Sequence, residues 1–167
     1  MTSTCNMEQV SFFARLFGST KPPAPRTPFA AGIAALERRC FDEALEHFAA
    51  ALADTSPSQR ALVHNKRALT YLQSGDRIAA VAAFVAALET DERCVPAIVN
   101  VGNLLLEDGH IDDALAHYEA ALRIDDGYAP GHFNLGIAFK RLGRRTDAVR
   151  AFRRAARLEA RARKSFR

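Results

Sequence analysis

Residues 134–152, NLGIAFKRLGRRTDAVRAF, recur upstream as a pattern, and that recurrence constrains the fold more than any single residue does. Thirty-four residues earlier, 100–118 reads NVGNLLLEDGHIDDALAHY. Asn100, Gly102, Gly109, Ala114 and Tyr118 fall in register with Asn134, Gly136, Gly143, Ala148 and Phe152. Another 34 residues back, KRALTYLQSGDRIAAVAAF (66–84) keeps Ala68, Gly75, Ala80 and Phe84 in the same places. A fourth copy, AAGIAALERRCFDEALEHF (30–48), is displaced by 36 residues. It supplies Gly32, Ala44 and Phe48, with Arg39 where the others have glycine. The basic residues around Gly143 do not repeat: Lys140 and Arg141 align with Leu106 and Glu107, and Arg144 and Arg145 with His110 and Ile111. Glycine and charge follow separate rules, so the glycines are architectural rather than parts of a phosphate-binding loop.

Each copy holds two stretches of helical spacing. In DDALAHYEAALRI, Ala114, Leu115, Tyr118, Ala121 and Leu122 share one stripe. Asp112 and Thr146 are expected as N-caps, and acids in the first turn suit the helix dipole. Gly75, Gly109 and Gly143 end the first helices, where a left-handed residue is needed. Pro96 and Pro130 open the next pair, where a missing N–H costs nothing. The small residues Gly32/Ala68/Gly102/Gly136 and Ala44/Ala80/Ala114/Ala148 allow two helices to approach closely. The rings Phe48/Phe84/Tyr118/Phe152 are expected to fill the space between successive pairs.

A 34-residue period with this small–small–aromatic–small pattern resembles the tetratricopeptide repeat. The resemblance covers about 25–160, as repeats at about 25–58, 61–94, 95–128 and 129–160. It implies an all-α, right-handed superhelix, an α-solenoid of four helix-turn-helix units. Departures occur: the family's first-helix Trp is replaced by Pro28, His64, Ile98 and His132, and its closing Pro by Ser56, Glu92, Asp126 and Ala160. The second copy also has Arg67 where a core Leu is usual.

In that family the first helices line an inner surface that binds protein segments, extended or helical. The resemblance places Phe29, Ile33, Asn65, Lys66, Leu69, Val99, Asn100, Asn103, Phe133, Asn134 and Ile137 there, with Lys140 and Arg141 toward one end. Asparagine is a poor helix former, so its recurrence in mid-helix asks for a reason. An amide donates and accepts, and can grip a peptide backbone whatever the side chains. Related repeat proteins use an asparagine ladder in this way; the matching positions are Asn100 and Asn134, with Lys66 replacing the ladder residue in the second copy. The alternative, that these amides solvate the face or bond the next helix, stays open. Another sub-class grips a chaperone's terminal carboxylate with Lys, Asn and Arg on successive first helices. The two placements here, Phe29/Ile33/Lys66/Pro96/Asn100 and Asn65/Leu69/Asn100/Pro130/Asn134, lack its basic pairing. Because the groove's charges are mainly basic, apart from Glu37 and Glu107, an acidic or carboxyl-bearing segment is the expected protein partner.

The whole chain carries a net +4, but residues 140–167 hold twelve Lys/Arg against two acids, leaving the rest at −6. Residues 161–167 read as a basic extension of the last helix. This end has three competing readings: solubilising an uncapped array, contacting an acidic partner or a second copy, or touching nucleic acid or an anionic membrane. Stackable aromatics there are limited to Phe152 and Phe166, so nucleic-acid contact would be mostly to phosphate. Residues 1–24 comprise a short amphipathic segment (Val10, Phe13, Leu16, Phe17) and a Pro-rich linker, expected to cap the first repeat, lie on a membrane surface or occupy a groove. Self-association through this segment and the uncapped end is the rival function. The five His residues lack metal-site spacing, no Gly-rich loop follows a strand, and neither a metal, a cofactor nor catalysis is expected. Three widely spaced cysteines, with no secretory leader and no apolar run of about 20 residues, point to a reducing cytoplasm.

Overall fold

The computed structural model describes residues 27–53 and 55–165; the segment 1–24 lies outside them. Among the described residues there are eight α-helices and no strand: α1 (Pro28–Glu37), α2 (Phe41–Ala51), α3 (Pro57–Ser74), α4 (Arg77–Thr90), α5 (Val95–Glu107), α6 (Ile111–Ile124), α7 (Ala129–Arg141) and α8 (Arg145–Ser165). They pack as four pairs, α1–α2, α3–α4, α5–α6 and α7–α8, and each second helix also packs on the first helix of the next pair. First helices touch one another along the array, whereas second helices do not. Closer spacing on one side bends the stack, so α1, α3, α5 and α7 line its inner, concave face. The expected all-α solenoid is the observed fold.

The helix boundaries follow from local chemistry, with two corrections. Thr27 accepts from the Ala30 N–H, Ser56 and Gln59 form a reciprocal capping box, and Asp76 accepts from the Ala79 N–H at 2.9 Å. Asp112 and Thr146 are not caps. His110 occupies the N-cap of α6 without a side-chain bond, and α8 begins at Arg145. Asp112 and Thr146 therefore sit in first turns, where Asp112 meets the positive end of the dipole. Gly75, Gly109 and Gly143 take φ of 92°, 86° and 74°, and Arg39 takes the same left-handed turn at 62°. Arg39 bears a steric cost that its counterparts avoid, while its guanidinium lies 5.5 Å from the Phe41 ring centroid.

The rings of Phe48, Phe84 and Tyr118 reach the next pair, as expected, and are also seated within their own. A Cβ on Gly32, Gly102 or Gly136 would lie 2.5–2.7 Å from the ring of Phe48, Tyr118 or Phe152 respectively. Each ring is thus seated against the glycine of its own pair, and sets how closely the two helices approach. The core is accordingly a chain of small clusters that straddle neighbouring helices. Phe48 shares one with Val63 of the next repeat, Phe84 one with Leu104, and Tyr118 one with Phe139.

The second repeat carries polar groups in its helix interface. The His64 Nδ1 and Arg67 Nε are buried without a hydrogen-bond partner among the described residues. Desolvation, then Arg67 and Arg60, hold the His64 imidazole below its ordinary value of 6.5. His132, at the corresponding place in the fourth repeat, is instead satisfied: its Nε2 lies 2.9 Å from the Asp126 carbonyl.

Two consequences are measurable. Gly109→Ala should destabilise the protein by about 1 kcal/mol although its Cβ would meet nothing, because the cost is conformational; a urea midpoint lowered at constant slope is the expected reading. His64 remains neutral in the folded chain at a pH where the unfolded chain protonates it. Its contribution is therefore fully present above pH 6.5 and is lost as pH falls through its lower folded value. The acid-side fall in thermal midpoint should be shallower in His64→Gln.

Candidate peptide-binding groove

The inner face carries a connected line of amides. Tyr118, on α6, donates its hydroxyl to the Asn103 Oδ1 at 2.8 Å. The Asn103 Nδ2 donates to the Asn100 Oδ1 at 3.4 Å, and the Asn100 Nδ2 to the Asn65 Oδ1 at 2.9 Å. The line crosses from the third repeat to the second and fixes which way each amide points. Asn100 uses one N–H and one lone pair in it, leaving one of each for a ligand. The amide of Asn134, one repeat on, has no hydrogen bond to the described residues and is half-buried.

The predicted groove residues divide by exposure. Lys66, Leu69, Asn100, Asn103, Asn134 and Ile137 are half-buried, while Phe133, Lys140 and Arg141 are exposed. Val99 is a correction: it is 2% exposed and packed into the cluster of Tyr118 and Phe139. Asn65, at 3%, likewise presents almost no surface and serves as the buried terminus of the amide line. Phe133 is half-open to solvent and rests tilted on Phe152, ring centroids 5.4 Å apart. Phe29 and Ile33 are half-buried and pack on the first repeat's cluster. At that end Phe29, Ala50, Ala51, Leu62 and Val63 line an apolar cleft of about 460 Å³.

Ion pairing makes the groove more basic than its composition. Glu107, its acid on the third repeat, is bound by Arg77 at 3.1 Å, and the same guanidinium chelates Asp108 at 2.7 Å. Those two carboxylates hold the Arg77 guanidinium in its charged form even more firmly than usual. Lys66 and Lys140 form no ion pair with the described residues. Arg141 is partly committed, since its Nη1 donates to the Leu106 carbonyl in the last turn of α5. This bond satisfies a helix-end acceptor and ties the last two repeats together.

Tyr118 was legible as a ring but not as a donor. The available signal was a coincidence in the third copy: it alone has a hydroxyl on the ring and Asn where the others have Ile33, Leu69 and Ile137. Burial is the main cause that pushes the Tyr118 pKa to about 12, so the donor persists throughout the neutral range. Tyr118→Phe should cost about 1 kcal/mol by leaving the Asn103 carbonyl short of a partner. Alkaline denaturation tests it further. The wild-type phenol keeps its proton above pH 10 when folded, so its contribution is complete below pH 10 and lost toward 12; Tyr118→Phe should lack that loss.

Tetratricopeptide-repeat sequence profiles match residues 61–94, 102–143 and 132–164. No curated protein matches the chain. Among solved structures, MamA shares 20% identity at a TM-score of 0.62, over 82% of this chain and 79% of its own. The pilF protein of Pseudomonas aeruginosa shares 23% at 0.67, over 78% and 59%. YrrB, described as a TPR protein with an unusual peptide-binding site, shares 21% at 0.58, over 80% and 68%. At these identities the structures speak for the fold, and together with the three matched segments they close the argument from the repeat: the chain belongs to the tetratricopeptide-repeat family.

Proposed function

We propose that this protein is a non-enzymatic interaction module that captures an extended, carboxyl-bearing peptide segment in its concave groove. The observation that carries the reading is the amide line. Asn100 is held in one orientation with a donor and an acceptor to spare, and the Asn134 amide is uncommitted one repeat away. One oriented amide and one free to turn, a repeat apart, suit the alternating N–H and C=O groups of an extended backbone. Lys66 and Lys140, without carboxylate partners among the described residues, favour acidic side chains at either side. The description of YrrB as having a peptide-binding site supports the same use of this fold.

Arg-rich α8 supports a second, electrostatic contact. Arg145, Arg153, Arg157, Arg161 and Lys164 have no ion-pair partner among the described residues, and such a helix can steer or hold an acidic protein or phosphate-bearing surface. No described helix is long and apolar enough to cross a membrane.

The test is a fluorescence-polarisation screen of acidic and neutral extended peptides, followed by variants of the amides. Asn134→Ala and Asn100→Ala should each weaken the best peptide roughly 2- to 10-fold, the range expected for one lost hydrogen bond. Asn65→Ala should weaken it less, because Asn65 acts only through the orientation of Asn100. Equal affinity across the folded variants would remove the amides from the site. Binding abolished by moderate salt but indifferent to these variants would transfer the function to α8.

A further inference from the structure

The array is left open at the start of its first repeat. Every later first helix has a second helix of the preceding pair packed on it, and among the described residues α1 has none. The effect shows where the helices begin. Val63, Ala97 and Gly131 are buried, whereas Thr27, at the same place in the first repeat, is exposed, as is Pro28.

The connection from α2 to α3 widens the opening. Ala51 packs in one cluster with Val63, and Ala87 in another with Ala97, but two more residues separate the first two than the second. Beside that longer connection, the apolar cleft of about 460 Å³ is bounded by the N-terminal ends of α1 and α3 and the last turn of α2. Ala51 and Val63 are buried in its wall, while Leu62 is 40% exposed. No lining residue is charged. The Thr27 hydroxyl and the Gln59 carbonyl are used in helix caps, and the Thr55 hydroxyl is buried. A small-molecule site of this size holds several converging polar groups, which this lining lacks. Apolar side chains suit it better.

The chain ahead of the cleft supplies them. Val10, Phe13, Leu16 and Phe17 fall at helical spacing on one face, and Glu8, Ser11 and Arg15 fall off it. Residues 18–26, GSTKPPAPR, join that stretch to Thr27, which itself lines the cleft. We propose that the face of Val10, Phe13, Leu16 and Phe17 folds back into the cleft of its own chain. Residues 21–26, held extended by Pro22, Pro23 and Pro25, reach about 19 Å at ~3.1 Å per residue. Gly18, Ser19 and Thr20 carry turn chemistry for the return, and a helix over 8–17 spans about 15 Å. Arm and segment thus match in length. So short a tether sets an effective concentration on the order of millimolar, and a contact too weak to join separate molecules closes within one. The docked segment covers the first repeat as a preceding second helix covers each later one. Its polar side, Glu8, Ser11 and Arg15, then forms the solvated outer face that the end of a solenoid requires.

The chain contains no Trp, so a single introduced Trp reports its own surroundings. In full-length Phe13→Trp and Phe17→Trp, emission should be blue-shifted, and acrylamide quenching several-fold weaker, relative to Ser11→Trp on the opposite side. Adding Leu62→Lys should return both reporters to the Ser11→Trp values. Because Leu62 is exposed, helical circular dichroism should not change. The protection should also be the same at every protein concentration. Two reporters as exposed as Ser11→Trp overturn the proposal, and so does protection that survives Leu62→Lys. Protection that fades on serial dilution overturns closure within one chain and assigns the cleft to the segment of a second copy.

Discussion

The contact between a small residue on one helix and an aromatic ring on its partner governs this structure. Gly32 and Phe48, Gly102 and Tyr118, and Gly136 and Phe152 meet so closely that a single Cβ would drive into the ring. Aromatic burial supplies a large apolar contribution per residue, and the missing Cβ lets it be gained at short interhelical distance. Every other level inherits that spacing. Four similar pairs stack, their first helices draw together, and a concave face results. The groove is therefore a by-product of pair geometry, and its lining is free to vary without altering the scaffold.

On that lining, the third repeat departs furthest from an apolar helix. Asn100 and Asn103 occupy its inner face, and the buried phenol of Tyr118 anchors the line that continues to Asn65. A mid-helix amide left to solvent would adopt several rotamers. Tying each to the next removes that freedom before any ligand arrives, which lowers the entropic cost of binding. The charge arrangement acts in the same direction, since Arg77 occupies Glu107 while Lys66 and Lys140 pair with no described carboxylate.

The periodic features were legible in the sequence, and the particular ones were less so. Gly75, Gly109 and Gly143 identify turns because only one backbone region closes a helix pair at that place, and repetition at a fixed interval made the requirement visible. Asp112 and Thr146 were misread as caps because the second helices begin a residue or more earlier than their composition suggests, with His110 and Arg144 preceding them. Val99 and Asn65 were assigned to the groove by register alone. A one-dimensional register gives the direction of a side chain but not the depth to which neighbouring helices cover it, and both proved buried. The Asn103–Tyr118 bond joins residues 15 apart on different helices and breaks the period instead of obeying it. Periodicity reveals what copies share, the Asn100/Asn134 match included, whereas the amide line also needs Asn103 and Tyr118, which one copy has alone.

The absence of contact between successive second helices has a mechanical meaning. Bending the array tighter or flatter changes the gaps on its outer side without breaking packed contacts there, so the restoring force arises only at the inner helices and the pair-to-pair clusters. Such a body behaves as a short leaf spring with one stiff edge. Its curvature can adjust in small increments over three junctions, and the groove's radius is then a soft coordinate that a bound segment's length can select.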